Sequence, residues 1–89
     1  MAKKTEQPTR KQIKRFKLVV GENLRLARLR RRLTQTQLAN AVGCTQYHIS
    51  RLEWGDQNVT LTMLLKLSFA LEMMPQELVD DKIRGRFAI

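Results

Sequence analysis

The chain has one cysteine, Cys44, and one histidine, His48. A single cysteine excludes an intrachain disulfide, and a reducing cytoplasm is the expected home. A lone histidine with no cysteine or acid at ligand spacing excludes the usual zinc patterns. No apolar run is long enough to cross a bilayer. The basic start is not followed by the apolar block of a signal peptide, so neither membrane insertion nor export is expected. Internal repeats and low-complexity segments are absent. So are a nucleophile–base pair, a carboxylate pair and a phosphate-cradling glycine loop. No enzyme and no cofactor is therefore expected. The Asn58-Val59-Thr60 sequon carries no meaning in a cytoplasmic protein. Acids are scarce, 8 against 17 Lys and Arg, which gives a formal net charge of +9.

The excess charge is lopsided. Residues 1–32 hold 12 Lys or Arg against 2 acids, whereas residues 33–89 hold 5 against 6. That asymmetry points to an anionic partner, with nucleic acid favoured over membrane. At 89 residues one domain is expected. A core of this size supplies only a few kcal/mol, so a dimer interface would help.

The stretch of residues 35–55, QTQLANAVGCTQYHISRLEWG, reads as two short helices joined by a tight turn. Leu38, Ala39 and Val42 share a helical face. Thr34 stands where a cap is needed. Gly43 ends the first helix, since glycine most readily takes the left-handed conformation. Thr45 caps the second helix, and Ile49 and Leu52 face inward. Ala39 is small enough to let the two helices cross closely. With about 100° per residue, Tyr47, Ser50, Arg51 and Trp54 point away from the inner side, with Gln46 at the helix start. Arg can bond guanine bidentately, Gln can bond adenine, and Ser can bond several bases.

Five helices are expected in all. Residues 1–10 form a flexible basic arm, 11–80 the domain, and 81–89 a tail ending in apolar Phe87 and Ile89. Helix 1 runs from about Thr9 or Lys11 to Arg32, with Ile13, Phe16, Val20, Leu24 and Ala27 at three-or-four spacing. Gly21, costing about 1 kcal/mol in a helix, marks a break or kink. Helix 2 spans about 35–42 and helix 3 about 45–53. Helix 4 follows Thr60 to about Glu72 and buries Leu61, Leu64, Leu67, Ala70 and Leu71 in some combination. Pro75 suits the first turn of helix 5, which carries Leu78 and Val79. Cys44 reads as a small residue packed at the turn.

These segments resemble the lambda-repressor-like, Xre/Cro-type helix-turn-helix regulators. The resemblance runs over residues 21–78 and rests on GENLRLAR, LTQTQLANAVGCTQYHISRLEWG, NVTLTMLLKLSFAL and PQEL in fixed register. It implies a compact all-α bundle of five helices that binds double-stranded DNA, usually as a homodimer, with the second helix of the motif in the major groove. It further implies that Gln35 contacts a phosphate and braces the recognition helix, and that Gln46 and Arg51 read base edges. Tyr47 and Ser50 would touch base or backbone, and Thr45 would cap its helix and meet a phosphate. Asn58 and Thr60 complete the expected contact set. Arg28 and Glu53 match a family pair that forms a structural ion pair.

Lys11, Lys14, Arg15 and Arg32 are expected phosphate or arm contacts, the alternative being solvated charge. The family often has a glycine near Arg32, so the turn there is expected to be built differently. Trp54 also departs from the family. It packs on the DNA backbone, joins a dimer contact or covers helix 1. Helix 5 and the tail are the expected dimer surfaces. The reading is a sequence-specific transcription regulator, a repressor. Alternatives are an antitoxin that autorepresses its operon, with residues 80–89 facing a toxin or other small protein, a restriction–modification controller, and a general nucleic-acid binder driven by the basic arm.

Overall fold

The computed structural model describes residues 6–81. Lys3 and Lys4 of the expected arm, and residues 82–89 of the expected tail, lie outside the described residues. The order is α1 (Arg10–Arg30), α2 (Gln35–Val42), α3 (Gln46–Glu53), α4 (Leu61–Ala70) and α5 (Pro75–Val79). The architecture is the five-helix, all-α bundle expected.

Threonines start four of these helices. Thr9, Thr34, Thr45 and Thr60 each accept a backbone N–H of the first turn at 3.0–3.1 Å. Gln12 and Gln37 return the bond to the capping residue's own N–H, closing two capping boxes. Each cap contributes on the order of 1 kcal/mol. Pro75 stands in the first turn of α5.

The ends of α1 to α4 are equally uniform. Arg32, Gly43, Gly55 and Glu72 all have positive φ. In each case the next residue's N–H donates to a carbonyl five positions back: Leu33 to Arg28, Cys44 to Ala39, Asp56 to Arg51, and Met73 to Ser68. These are left-handed helix closures. Two use glycine. Arg32 and Glu72 take the same conformation with a side chain, at φ 59° and 54°. The closure at Glu72 is why α4 stops at Ala70 rather than reaching Glu72 as expected.

Leu24, Ala27, Leu38, Ala39, Val42, Ile49, Leu52, Leu67, Leu71 and Leu78 make one core. Of the break or kink expected at Gly21, there is no break: helix α1 runs through it. A Cβ there would lie 2.5 Å from the Leu52 carbonyl oxygen and 2.6 Å from that of Glu53. Gly21 is thus a contact surface against the end of α3, not a hinge.

Along the apolar spacing of α1, Leu24 and Ala27 are buried while Ile13 and Phe16 are exposed, and Val19 is buried as well. The other helices cover only the second half of α1. Its first half extends past them, leaving an apolar groove of about 660 Å³ lined by Ile13, Phe16, Val20, Leu52 and Val59 among others. Leu61 is 83% exposed, because it opens α4 on the side away from the core. The end of the described chain is tied to α1: the Asn23 side chain donates to the Leu78 and Asp80 carbonyls at 3.0 and 2.6 Å. Among the described residues, no helix is long and apolar enough to cross a membrane.

Candidate nucleic-acid interface

Helices α2 and α3 pack against each other, and Leu38, Ala39, Val42, Ile49 and Leu52 are all buried. With the left-handed Gly43 between them, the pair is fixed by its own core contacts. That packing leaves one face of α3 in solvent. Tyr47 and Trp54 are both exposed there, Trp54 at 71%. Ser50 and Arg51 lie between them, half-buried.

A chain of polar contacts runs from the interior to this face. Arg28, only 8% exposed, grips Glu53 bidentately, Nε to Oε2 at 2.6 Å and Nη2 to Oε1 at 3.1 Å. Its Nη1 donates to the Leu33 carbonyl at 2.8 Å. The same Glu53 Oε1 accepts from Gln35 Nε2 at 3.0 Å. Gln35 Oε1 in turn accepts from Gln46 Nε2 at 2.6 Å. A buried charge pair therefore holds an amide at the start of α2, and that amide holds one at the start of α3. Charge-assisted bonds are the stronger kind, so the chain is firmest at its buried end.

Arg51 has its own partners. Its Nη1 donates to the Tyr47 hydroxyl, and its Nε faces Asp56 Oδ2 at 3.2 Å. The guanidinium carbon lies 5.5 Å from the Tyr47 ring centre. Asp56 lies just after α3, outside any helix. The left-handed Gly55 turns it back over the last turn of α3. Only the turn geometry reveals the pair.

The remaining positions divide. Thr45 and Thr60 cap α3 and α4 with an oxygen lone pair, which leaves each hydroxyl hydrogen free to donate. Asn58 is exposed in the connection between those helices. Lys11 and Lys14 are exposed on the projecting half of α1, and Arg32 is exposed in its left-handed turn. Arg15 is turned instead toward Asp81, Nη2 to Oδ2 at 3.6 Å, on the side of α1 facing the end of the described chain. Arg31, in the same basic run as Arg32, donates to the Leu71 carbonyl and pairs with Glu72 at 3.0 Å.

Cys44 packs against the core edge. Burial pushes its thiol up, and nearby Lys66 pulls it partly back, so the sulfur stays protonated at neutral pH. Among the described residues, no group of three or more His, Cys, Asp and Glu could hold a metal ion.

The helix-turn-helix domain family matches residues 19–81. Among solved structures, the chain is similar to the restriction-modification controller protein C.AhdI from Aeromonas hydrophila. Identity is 35% over 70% of this chain and 94% of that one, with a TM-score of 0.68. It is also similar to the clp gene regulator ClgR from Corynebacterium glutamicum, at 25% identity over 71% and 67% of the two chains, TM-score 0.69. The hypothetical transcription factor NHTF from Neisseria shares 25% identity over 85% of this chain and 84% of that one, TM-score 0.70. No curated protein matches. With its two packed helices, its glycine turn and its buried Arg28–Glu53 pair in this register, the chain belongs to the helix-turn-helix domain family, in the lambda-repressor-like, Xre/Cro-type branch.

Proposed function

We propose that this protein is a sequence-specific transcription regulator that reads double-stranded DNA as a two-fold homodimer. The observation that carries the reading is the Gln35–Gln46 pair, anchored on Arg28 and Glu53. An unconstrained surface glutamine reads nothing in particular. One held at 2.6 Å by a braced neighbour presents a fixed donor–acceptor edge at the start of α3. The rigid first turn of such a helix is the part that meets base edges in the major groove. Gln46 and Arg51 are the base readers, with Tyr47, Ser50 and Trp54 beside them. Gln35, Thr45, Asn58, Thr60 and Arg32 meet phosphates, helped by free N–H groups at the starts of α2 and α4.

The apolar stripe on α4 supports a dimer. Leu61, Leu65 and Phe69 recur every four residues and are all exposed, Leu61 and Phe69 by 83% and 76%. The expected surface on α5 offers less, because Leu78 is spent in the core. A second copy laid across α4 would cover the stripe. The 35% identity to C.AhdI favours a restriction–modification controller within this class. The antitoxin alternative rests on residues 80–89, most of which lie outside the described residues.

In vitro selection from random duplex DNA, at near-physiological salt with excess competitor, tests the reading. A two-fold symmetric site with half-sites about one helical turn apart is expected. Binding that enriches no sequence and collapses as salt rises would leave only a non-specific basic surface.

A further inference from the structure

We infer that Asp56 is a positioning residue for DNA specificity, setting Arg51 to read guanine and keeping it off the phosphates. The inference rests on the DNA-binding reading above. Arg51 has a partner on each of two edges. Its Nε is shut away from solvent and faces the Asp56 carboxylate at 3.2 Å as an ion pair, without a hydrogen bond. One Nη1 hydrogen goes to the Tyr47 hydroxyl. The backbone of Asp56 is fixed beside Arg51, because its N–H donates to the Arg51 carbonyl at 3.0 Å through the left-handed turn at Gly55. What remains free is the outer end of the guanidinium, Nη2 and the second Nη1 hydrogen. That fork matches O6 and N7 of guanine in the major groove.

Fold stability does not account for this arrangement. The two side chains are 35% and 54% exposed, and pairs so exposed add little. Two consequences for binding do follow. An arginine already held in place has less rotamer freedom to lose on contact. The carboxylate beside it also repels phosphate, so the guanidinium gains least where DNA is least informative. Asp56 thus lowers affinity for DNA in general and raises discrimination at one base pair in each half-site.

The test uses the full chain and its selected site. Arg51→Ala assigns the base pair that Arg51 reads. Competition with the three single-base variants then measures preference there, and random duplex measured across salt concentrations gives general affinity. Wild-type protein should prefer guanine by about tenfold or more. In Asp56→Asn that preference should fall about fivefold while affinity for random DNA rises and its salt slope steepens. Tyr47→Phe should show a smaller loss of preference at the same base pair. The melting temperature of Asp56→Asn should match wild type, which separates positioning from folding. An Asp56→Asn protein with guanine preference intact, or weakened equally at every base pair, would overturn the inference and leave DNA reading standing. Wild-type protein that selects no site would overturn both.

Discussion

Arg28 makes three hydrogen bonds from a nearly buried position, two to Glu53 and one to the Leu33 carbonyl. A buried ion pair adds little over a well-packed apolar pair, but removing one member strands the other. Glu53→Ala should therefore cost about 3–5 kcal/mol, comparable with the whole stability of a small domain. Urea unfolding measures it, and a loss under about 0.5 kcal/mol would contradict the stranded-charge account. Gln35 also bonds Glu53, so the substitution unfastens the amide chain at α3 as well. Glu53→Gln keeps an acceptor in place and should cost less.

At the scale of elements, two effects compete at Gly21. Helix propensity favours alanine over glycine by about 1 kcal/mol. Against that, an added Cβ meets backbone oxygens of Leu52 and Glu53 at 2.5 and 2.6 Å. Backbone at the end of a packed helix has little room to move. Gly21→Ala should destabilise by about 1–2 kcal/mol net, because overpacking wins, and thermal melting should show it. An unchanged or raised melting temperature would show that α3 can slide away from α1.

The helix boundaries show what a sequence reveals and what it conceals. Thr34, Thr45, Gly43 and Pro75 announced their boundaries through local chemistry, and α2 and α3 were legible nearly to the residue. Arg32 and Glu72 did not, because nothing local marks an ordinary side chain in the left-handed region. Ile13 and Phe16 share the three-or-four spacing of Leu24 and Ala27 but not their burial. Three-or-four spacing tells which face of a helix is apolar, not how far its partners reach along it. Gln46 and Arg51 were legible on the polar side of α3, and Gln35 only through the family resemblance. The Arg51–Asp56 pair was not, since it depends on where a turn folds the chain back.

Over the whole molecule, charge and shape coincide. The principal extents are 46 × 23 × 22 Å, and the long axis accommodates α1, whose 21 residues span about 31 Å. The projecting half of that helix carries Lys11 and Lys14 in solvent, while Arg15 is drawn to Asp81. If the two lysines neutralise phosphates, each contributes nearly one unit to the slope of log affinity against log salt. Lys11→Gln with Lys14→Gln should weaken binding to all sequences alike and flatten the slope by about two units per protomer. Arg15→Gln should flatten it less. A slope unmoved by the lysine pair would assign the projecting helix to solubility alone.

Trp54 is the chain's only tryptophan, and it stands in water at the far end of α3. Its indole emission in the free protein is therefore that of a solvated ring. A DNA strand closing over α3 would displace that water and bring sugar, phosphate or base against the ring. If DNA covers α3 in this way, Trp54 is an optical gauge of occupancy that follows binding in real time without a label.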